Sequence, residues 1–354
     1  MELPAGIRSR FIDDVNGLRV HVLEAGPRGR PAVLLLHGFP ELAYSWRKVM
    51  PALAAAGFHA IAPDQRGYGA TTGWDGRYDC DLGAYSMLNL VEDAASLLAR
   101  LELPAAHVVG HDFGAPVAAY CTLTRPGVFR SLALMSAPLG GVPIGARDGR
   151  IHEELAALGR KHYQWYYTTR EADANMRAAR QGLAAFLRAY YHYKSADWPG
   201  NRPFPLKDWT ASELAKMPTY YVMDLDKGMA ETVAPYMPAR APRWLTDAEL
   251  AVYADAFERT GFQGGLNWYR SATSPEHAQR LIAAVSGRTI DVPSLFIAGA
   301  ADWGVYQKPG EFERMRESVC TDLRGCELVA GAGHWVQQEQ PEAVARLLTQ
   351  FLSS

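Results

Sequence analysis

The chain of 354 residues is 48% hydrophobic and sets 36 basic against 38 acidic side chains, a formal net charge of −2. That length supplies a large core, as one domain with an insertion or as two domains. The balanced charge excludes the basic face that nucleic acid or an anionic membrane would need, so neither is expected as a partner. Cys80, Cys121, Cys320 and Cys326 show no metal-ligand or CxxC spacing. Hence no metal centre and no disulfide framework are expected, and Cys121 reads as a small core residue. Met1 to Gly6 has no basic start before an apolar run, and no run nears the roughly 18 residues that span a bilayer. A cytoplasmic protein is expected.

In chain order, three strands come first: Ser9 to Asp13, Leu18 to Leu23 and Ala32 to Leu36. Asn16-Gly17 is a hairpin turn, and the third strand is a continuous apolar run suited to burial on both faces. A helix over Ala43 to Ala55, a strand over Phe58 to Ala62 and a helix over Ser86 to Leu101 follow. Then come a strand from Ala105 to Val109, a helix from Phe113 to Thr124 ended by Arg125-Pro126-Gly127, and a strand from Ser131 to Met135. Alternation of strand and helix predicts a parallel, doubly wound α/β sheet. The rhythm breaks at Pro138-Leu139-Gly140-Gly141 and gives way to helical, aromatic text that includes a capping box at Thr246-Asp247-Ala248-Glu249. The sheet resumes with strands at Ser294 to Ala298 and Glu327 to Ala330, and Pro341 to Leu352 is a closing helix. The predicted organisation is a core in two parts, 1–138 and 288–354, with a helical lid over 139–287.

Chemistry concentrates at strand ends. Gly110-His111-Asp112-Phe113-Gly114 has the Gly-X-nucleophile-X-Gly form of the α/β-hydrolase elbow, with an aspartate where serine is usual. Gly110 and Gly114 permit the cramped turn. A carboxylate needs no base to become a nucleophile, and it attacks electrophilic saturated carbon directly. His37-Gly38-Phe39-Pro40-Glu41 leaves the third strand as a sharp turn, so the N–H groups of Phe39 and Phe113 are candidates for an oxyanion hole. Asp302 and His334 each follow a strand, in the order nucleophile, acid, histidine expected of this fold. Asp291 precedes its strand and belongs at the opposite edge. Arg66, in the Gly-rich loop from Asp64 to Gly69, is expected to brace that loop. Asp224 and Asp226 are expected on a solvated surface, and His111 in a packing role.

These motifs resemble the epoxide hydrolases of the α/β-hydrolase fold, the soluble kind with an aspartate nucleophile. The resemblance covers nearly the whole chain and implies an eight-stranded, mostly parallel sheet with an inserted lid. His162-Tyr163-Gln164-Trp165-Tyr166 and the segment from Thr260 to Arg270 are similar to the two lid tyrosine motifs of that family. The resemblance therefore implies Tyr163 and Tyr269 as donors to the epoxide oxygen, with Phe39, Phe113, Gln164 and Trp165 lining the substrate pocket. The residues alone do not single out these two tyrosines among seventeen. At Phe113 the family often carries tryptophan; the amide survives that change, and the pocket shape beside Asp112 is what it alters.

The reaction implied is conversion of an apolar epoxide and water to a vicinal diol. It runs through an ester on Asp112 that water, activated by His334 and Asp302, hydrolyses without metal or organic cofactor. Two other readings fit the same elbow. A haloalkane or haloacid dehalogenase would need halide-binding N–H groups from lid or elbow; Phe113 offers no side-chain donor, so Trp165 or Trp268 would have to supply one. A non-catalytic ligand-binding protein would be expected to have lost part of the residue set.

Overall fold

A computed structural model describes residues 3–141 and 149–354, so residues 142–148 of the expected lid lie outside the described residues, as do Met1 and Glu2. Strands β1 (Ile7–Val15) and β2 (Leu18–Ala25) pair antiparallel. Asn16 and Gly17 between them have φ of 49° and 78°, the two positive values that a type I′ hairpin turn requires. Four more strands precede the insertion: β3 (Ala32–Leu36), β4 (His59–Pro63), β5 (Ala106–His111) and β6 (Phe129–Met135). The insertion holds a short antiparallel pair, β7 (Arg160–His162) and β8 (Val222–Asp224). After it come β9 (Ser294–Gly299) and β10 (Leu323–Val329).

The main sheet has eight strands in the order β1-β2-β4-β3-β5-β6-β9-β10. Only the β1–β2 and β2–β4 pairs are antiparallel; every other neighbour is parallel. Every residue of β3 is buried, because both sheet faces are covered. Leu34 and Leu36 enter one apolar core, and Val33 and Leu35 the other. Each such side chain contributes about 1.5–3 kcal/mol by leaving water. The first of these cores runs on without a break into the insertion, taking in Tyr163, Tyr190 and Tyr269. Sheet and insertion therefore share one interior.

Three expectations need correction. The helix expected over Ala43 to Ala55 is a 3-10 turn, Ala43–Trp46, followed by an α-helix, Met50–Ala55. Pro51 has no N–H to donate to an earlier turn and fits only the first turn of a new helix. β10 begins at Leu323, earlier than the apolar pattern indicates, because an edge strand with Arg324 and Gly325 has little such pattern. β7 and β8 were not foreseen, being three residues long within aromatic text. The capping box at Thr246 opens helix Asp247–Thr260 as expected. No helix among the described residues is long and apolar enough to cross a membrane.

A buried ion cluster ties the antiparallel end of the sheet together. Glu24 on β2 is 1% exposed and accepts from Arg10 on β1 at 2.8 Å and from His59 on β4 at 3.1 Å. Burial raises its carboxyl, but the bonds from His59 and Arg10 outweigh it and bring the pKa from 4.5 to about 2. The carboxyl is depressed in the fold, so its stabilisation is complete above pH 4.5 and disappears as pH falls to about 2. Glu24→Gln is therefore expected to lower stability at neutral pH. Its deficit should shrink to nothing by the acid end of that window, as urea midpoints across pH will read; a deficit independent of pH would refute the assignment.

Candidate active site

Four loops leave the carboxyl ends of parallel strands and meet above β3 and β5. Asp112 follows β5 with φ of 52°, a left-handed conformation that L-residues adopt at a cost. Helix Gly114–Thr124 starts at once behind it. A Cβ on Gly110 would lie 2.1 Å from the Gly114 carbonyl oxygen, so the turn closes only with glycine there. The Asp112 carboxylate is thereby pushed up from the sheet edge toward the turn after β3. There the Phe39 N–H donates to Asp112 Oδ1 at 2.9 Å. Phe113, as the residue opening the helix, has its N–H among first-turn donors that no helical carbonyl can reach.

His334, in the loop after β10, places Nε2 3.2 Å from Asp112 Oδ2, close but off the line of a hydrogen bond. Its Nδ1 faces Asp302 Oδ1 at 3.1 Å and the Ser136 hydroxyl at 2.9 Å. Asp302 follows β9 and also accepts the Gly304 N–H at 2.7 Å. Burial pushes the Asp302 carboxyl up, yet His334 and these bonds hold it below the usual carboxylate range. Asp112 is likewise raised by burial and lowered further by His334, Lys194 and His111, so it stands well below that range. Both acids are carboxylates at neutral pH.

The expected packing role of His111 is more than packing. Its ring is wholly buried between the Glu41 carboxylate, 2.6 Å from Nδ1, and the His334 carbonyl oxygen, 2.7 Å from Nε2. Both neighbours accept, so both ring nitrogens must carry protons. Burial opposes the charge and Glu41 overcomes it, which raises the His111 pKa. Glu41 also takes the Gly38 N–H at 3.1 Å and the Gln337 amide at 2.9 Å. The backbone of the base is thus pinned from beneath.

Tyr163 and Tyr269 lie over the elbow, their ring centroids 6.0 Å apart. Tyr269 meets Phe113 edge-on at 4.9 Å and Phe39 at 5.6 Å. Its hydroxyl makes no hydrogen bond among the described residues. Burial and the Asp112 charge raise its pKa well above the usual value, so it keeps its proton. The Tyr163 hydroxyl donates to Gln307 at 3.2 Å and accepts from Gln164 at 3.1 Å. Trp165 is a correction: it is 50% exposed, with its ring on His152. Two residues along a helical turn rotate a side chain about 200°, so with Tyr163 facing inward Trp165 faces out. Trp268 is buried, with its indole N–H given to the Arg66 carbonyl at 2.9 Å. Arg66 is bound to Asp93 at 2.7 and 2.8 Å and braces its loop as expected. Asp224 pairs with Lys227 and Arg160 on a half-exposed surface.

Sequence reasoning missed Glu41, Ser136, Lys194 and Glu339 as parts of this site. Glu339 accepts three backbone N–H groups, from Ala196, Gly333 and Trp335, at 2.8 to 3.0 Å. It fastens the base loop to the insertion. Glu41 closes a glycine-containing turn and Glu339 lies among glutamines in a short helix, and neither setting singles out an acid in the sequence.

The sheet order, the elbow and the acid–histidine pair define a class: a family model described as alpha/beta hydrolase fold matches residues 31–341. Epoxide hydrolase A of Mycobacterium tuberculosis is 36% identical over 98% of each chain. Epoxide hydrolase B of the same organism is 34% identical over 95% of this chain and 96% of its own. Among solved structures, Epoxide Hydrolase A from Mycobacterium thermoresistibile superposes with a TM-score of 0.81 at 34% identity, covering 98% of both chains. An epoxide hydrolase from an endophytic Streptomyces gives 0.79 at 34% identity, covering 99% and 96%. The chain belongs to the epoxide hydrolase family of the α/β-hydrolase fold.

Proposed function

We propose that the protein hydrolyses apolar epoxides to vicinal diols through an ester on Asp112. The observation that carries this is the state of the Asp112 carboxylate: ionised, lifted by a left-handed turn, with Oδ1 fixed by the Phe39 amide and Oδ2 left to react. Relatives named epoxide hydrolases support the substrate class. Oδ2 attacks an epoxide carbon, the ring C–O bond breaks, and the departing oxygen takes a proton from Tyr269 or Tyr163, which solvent later restores. His334, oriented by Asp302 and Ser136, then removes a proton from water, and the resulting hydroxide adds to the ester carbonyl carbon. The oxyanion forms on Oδ1 between the Phe39 and Phe113 amides, a donor pair of the kind whose members are each worth about 3 kcal/mol of barrier. Collapse releases Oδ2 within the diol, protonated by His334; Asp112 keeps an oxygen from water and loses that oxygen's proton to solvent, which restores the carboxylate. Phe39, Phe113, Gln164, Tyr163 and Tyr269 line the substrate space of the lid. No metal or organic cofactor enters any step.

Dehalogenation is the less favoured reading. The Trp268 N–H is already given to Arg66, and Trp165 lies on the outside. Neither is available to a halide, whereas the Tyr269 hydroxyl is available to an oxygen.

A single turnover of styrene oxide in heavy-oxygen water tests the mechanism. The label is expected in the Asp112 carboxylate, and in the diol only on later turnovers. Label in the diol on the first turnover would mean direct attack of water and no ester.

A further inference from the structure

Lys194 ends the insertion helix Leu183–Lys194 and is 3% exposed. Its ammonium makes no ion pair and no hydrogen bond among the described residues. Instead it lies among four aromatic rings, 4.9 Å from the centroid of Tyr221, 5.3 Å from Trp335, 5.5 Å from Tyr190 and 5.8 Å from Tyr220. A cation held only by ring faces and removed from bulk water is expensive unless an opposite charge lies within range. Burial lowers the pKa of the ammonium, and the charges of Asp112 first, then Asp302 and Glu41, act against that and favour the charged form. Trp335 sits between cation and base, its ring 4.6 Å from that of His334. The Lys194 carbonyl oxygen takes the His334 N–H at 2.9 Å. The lysine is thereby fixed to the loop that carries the base.

We infer that Lys194 is a positioning residue that sets the charge balance between the two half-reactions, favouring every state in which Asp112 bears negative charge. This rests on the ester mechanism proposed above. Alkylation removes the Asp112 charge and leaves the caged ammonium facing an ester. Hydrolysis first places a negative charge on the ester oxygen and then restores the carboxylate. A positive charge on Lys194 therefore opposes the first step and assists the second. Aromatic rings around the ammonium screen its field less than bulk water would. The consequence is an enzyme in which the covalent adduct stays scarce during turnover.

The test is rapid-quench mass analysis of the wild-type enzyme and of Lys194→Met and Lys194→Arg, each mixed with styrene oxide. Adduct formation and adduct loss are timed separately. Lys194→Met is expected to slow adduct loss by about tenfold or more, while adduct formation is unchanged or faster, so the adduct accumulates. Lys194→Arg keeps the charge and should return the ratio of the two rates toward wild type. Lys194→Gln serves as the uncharged variant if the methionine protein does not fold. A merely structural lysine would lower both rates together. That outcome, or an unchanged ratio, overturns the inference. If no adduct forms in any protein, including His334→Gln, the ester mechanism itself has failed rather than the role of Lys194.

Discussion

His334→Gln is expected to gain the mass of one substrate molecule on Asp112 and then stall. In the proposed mechanism the first step asks nothing of the imidazole, because Asp112 is ionised in the resting site and Tyr269 and Tyr163 would serve the leaving oxygen. Among the described residues the proposed second step has no other base beside Asp112: Asp302 lies on the far side of the ring, facing Nδ1. Glutamine keeps a polar side chain of similar reach but cannot take a proton from water. Loss of a general base typically lowers a step about 10²–10⁴-fold. The expected pattern is therefore a burst of one equivalent, then almost no diol. Intact-protein mass spectrometry with peptide mapping reads it directly. Steady diol release from this variant with no adduct would sink the assignment of His334.

The second large effect belongs to the tyrosine pair. Tyr163→Phe with Tyr269→Phe removes both donors to the opening ring, so alkylation should fall by about 10²–10⁴-fold, with no adduct even on a His334→Gln background. The single variants should separate. The Tyr269 hydroxyl bonds to nothing among the described residues, so its loss should change rate with little change in stability. The Tyr163 hydroxyl answers to Gln307 and Gln164, and its removal leaves a buried amide oxygen without its donor. That variant should also lose stability, by about 1–3 kcal/mol. Adduct formation in single turnovers and urea midpoints supply the two readings. A double phenylalanine variant that alkylates at the normal rate would remove the pair from the mechanism.

The parallel core of the fold was readable because its strands are buried on both faces. β3, β5 and β6 are short apolar runs, and their ends mark where Asp112 and its partners collect. The edge strand β10 was misjudged because one side of an edge faces water and its residues carry no clear alternation. Pro51 split a helix whose apolar spacing looked continuous. Asp112, Asp302 and His334 were legible from position alone, each lying just past a strand. Lys194 and Ser136 were not, because their partners lie far along the chain: 198 residues separate Ser136 from His334. Tyr163 and Tyr269 came from the resemblance, and Trp165 was carried with them although it lies on the outer side of the same turn.

The base loop is held by two bodies at once. The His334 N–H goes to Lys194 in the insertion, and its carbonyl oxygen goes to His111 in the sheet. Glu339 repeats the arrangement by gripping Ala196 and Gly333 with one oxygen. A swing of the whole insertion away from the sheet would tear these bonds and unseat the histidine. Gross opening and a working base therefore exclude each other. The end of the insertion around Lys194 is thus the clasp that joins it to the loop carrying His334.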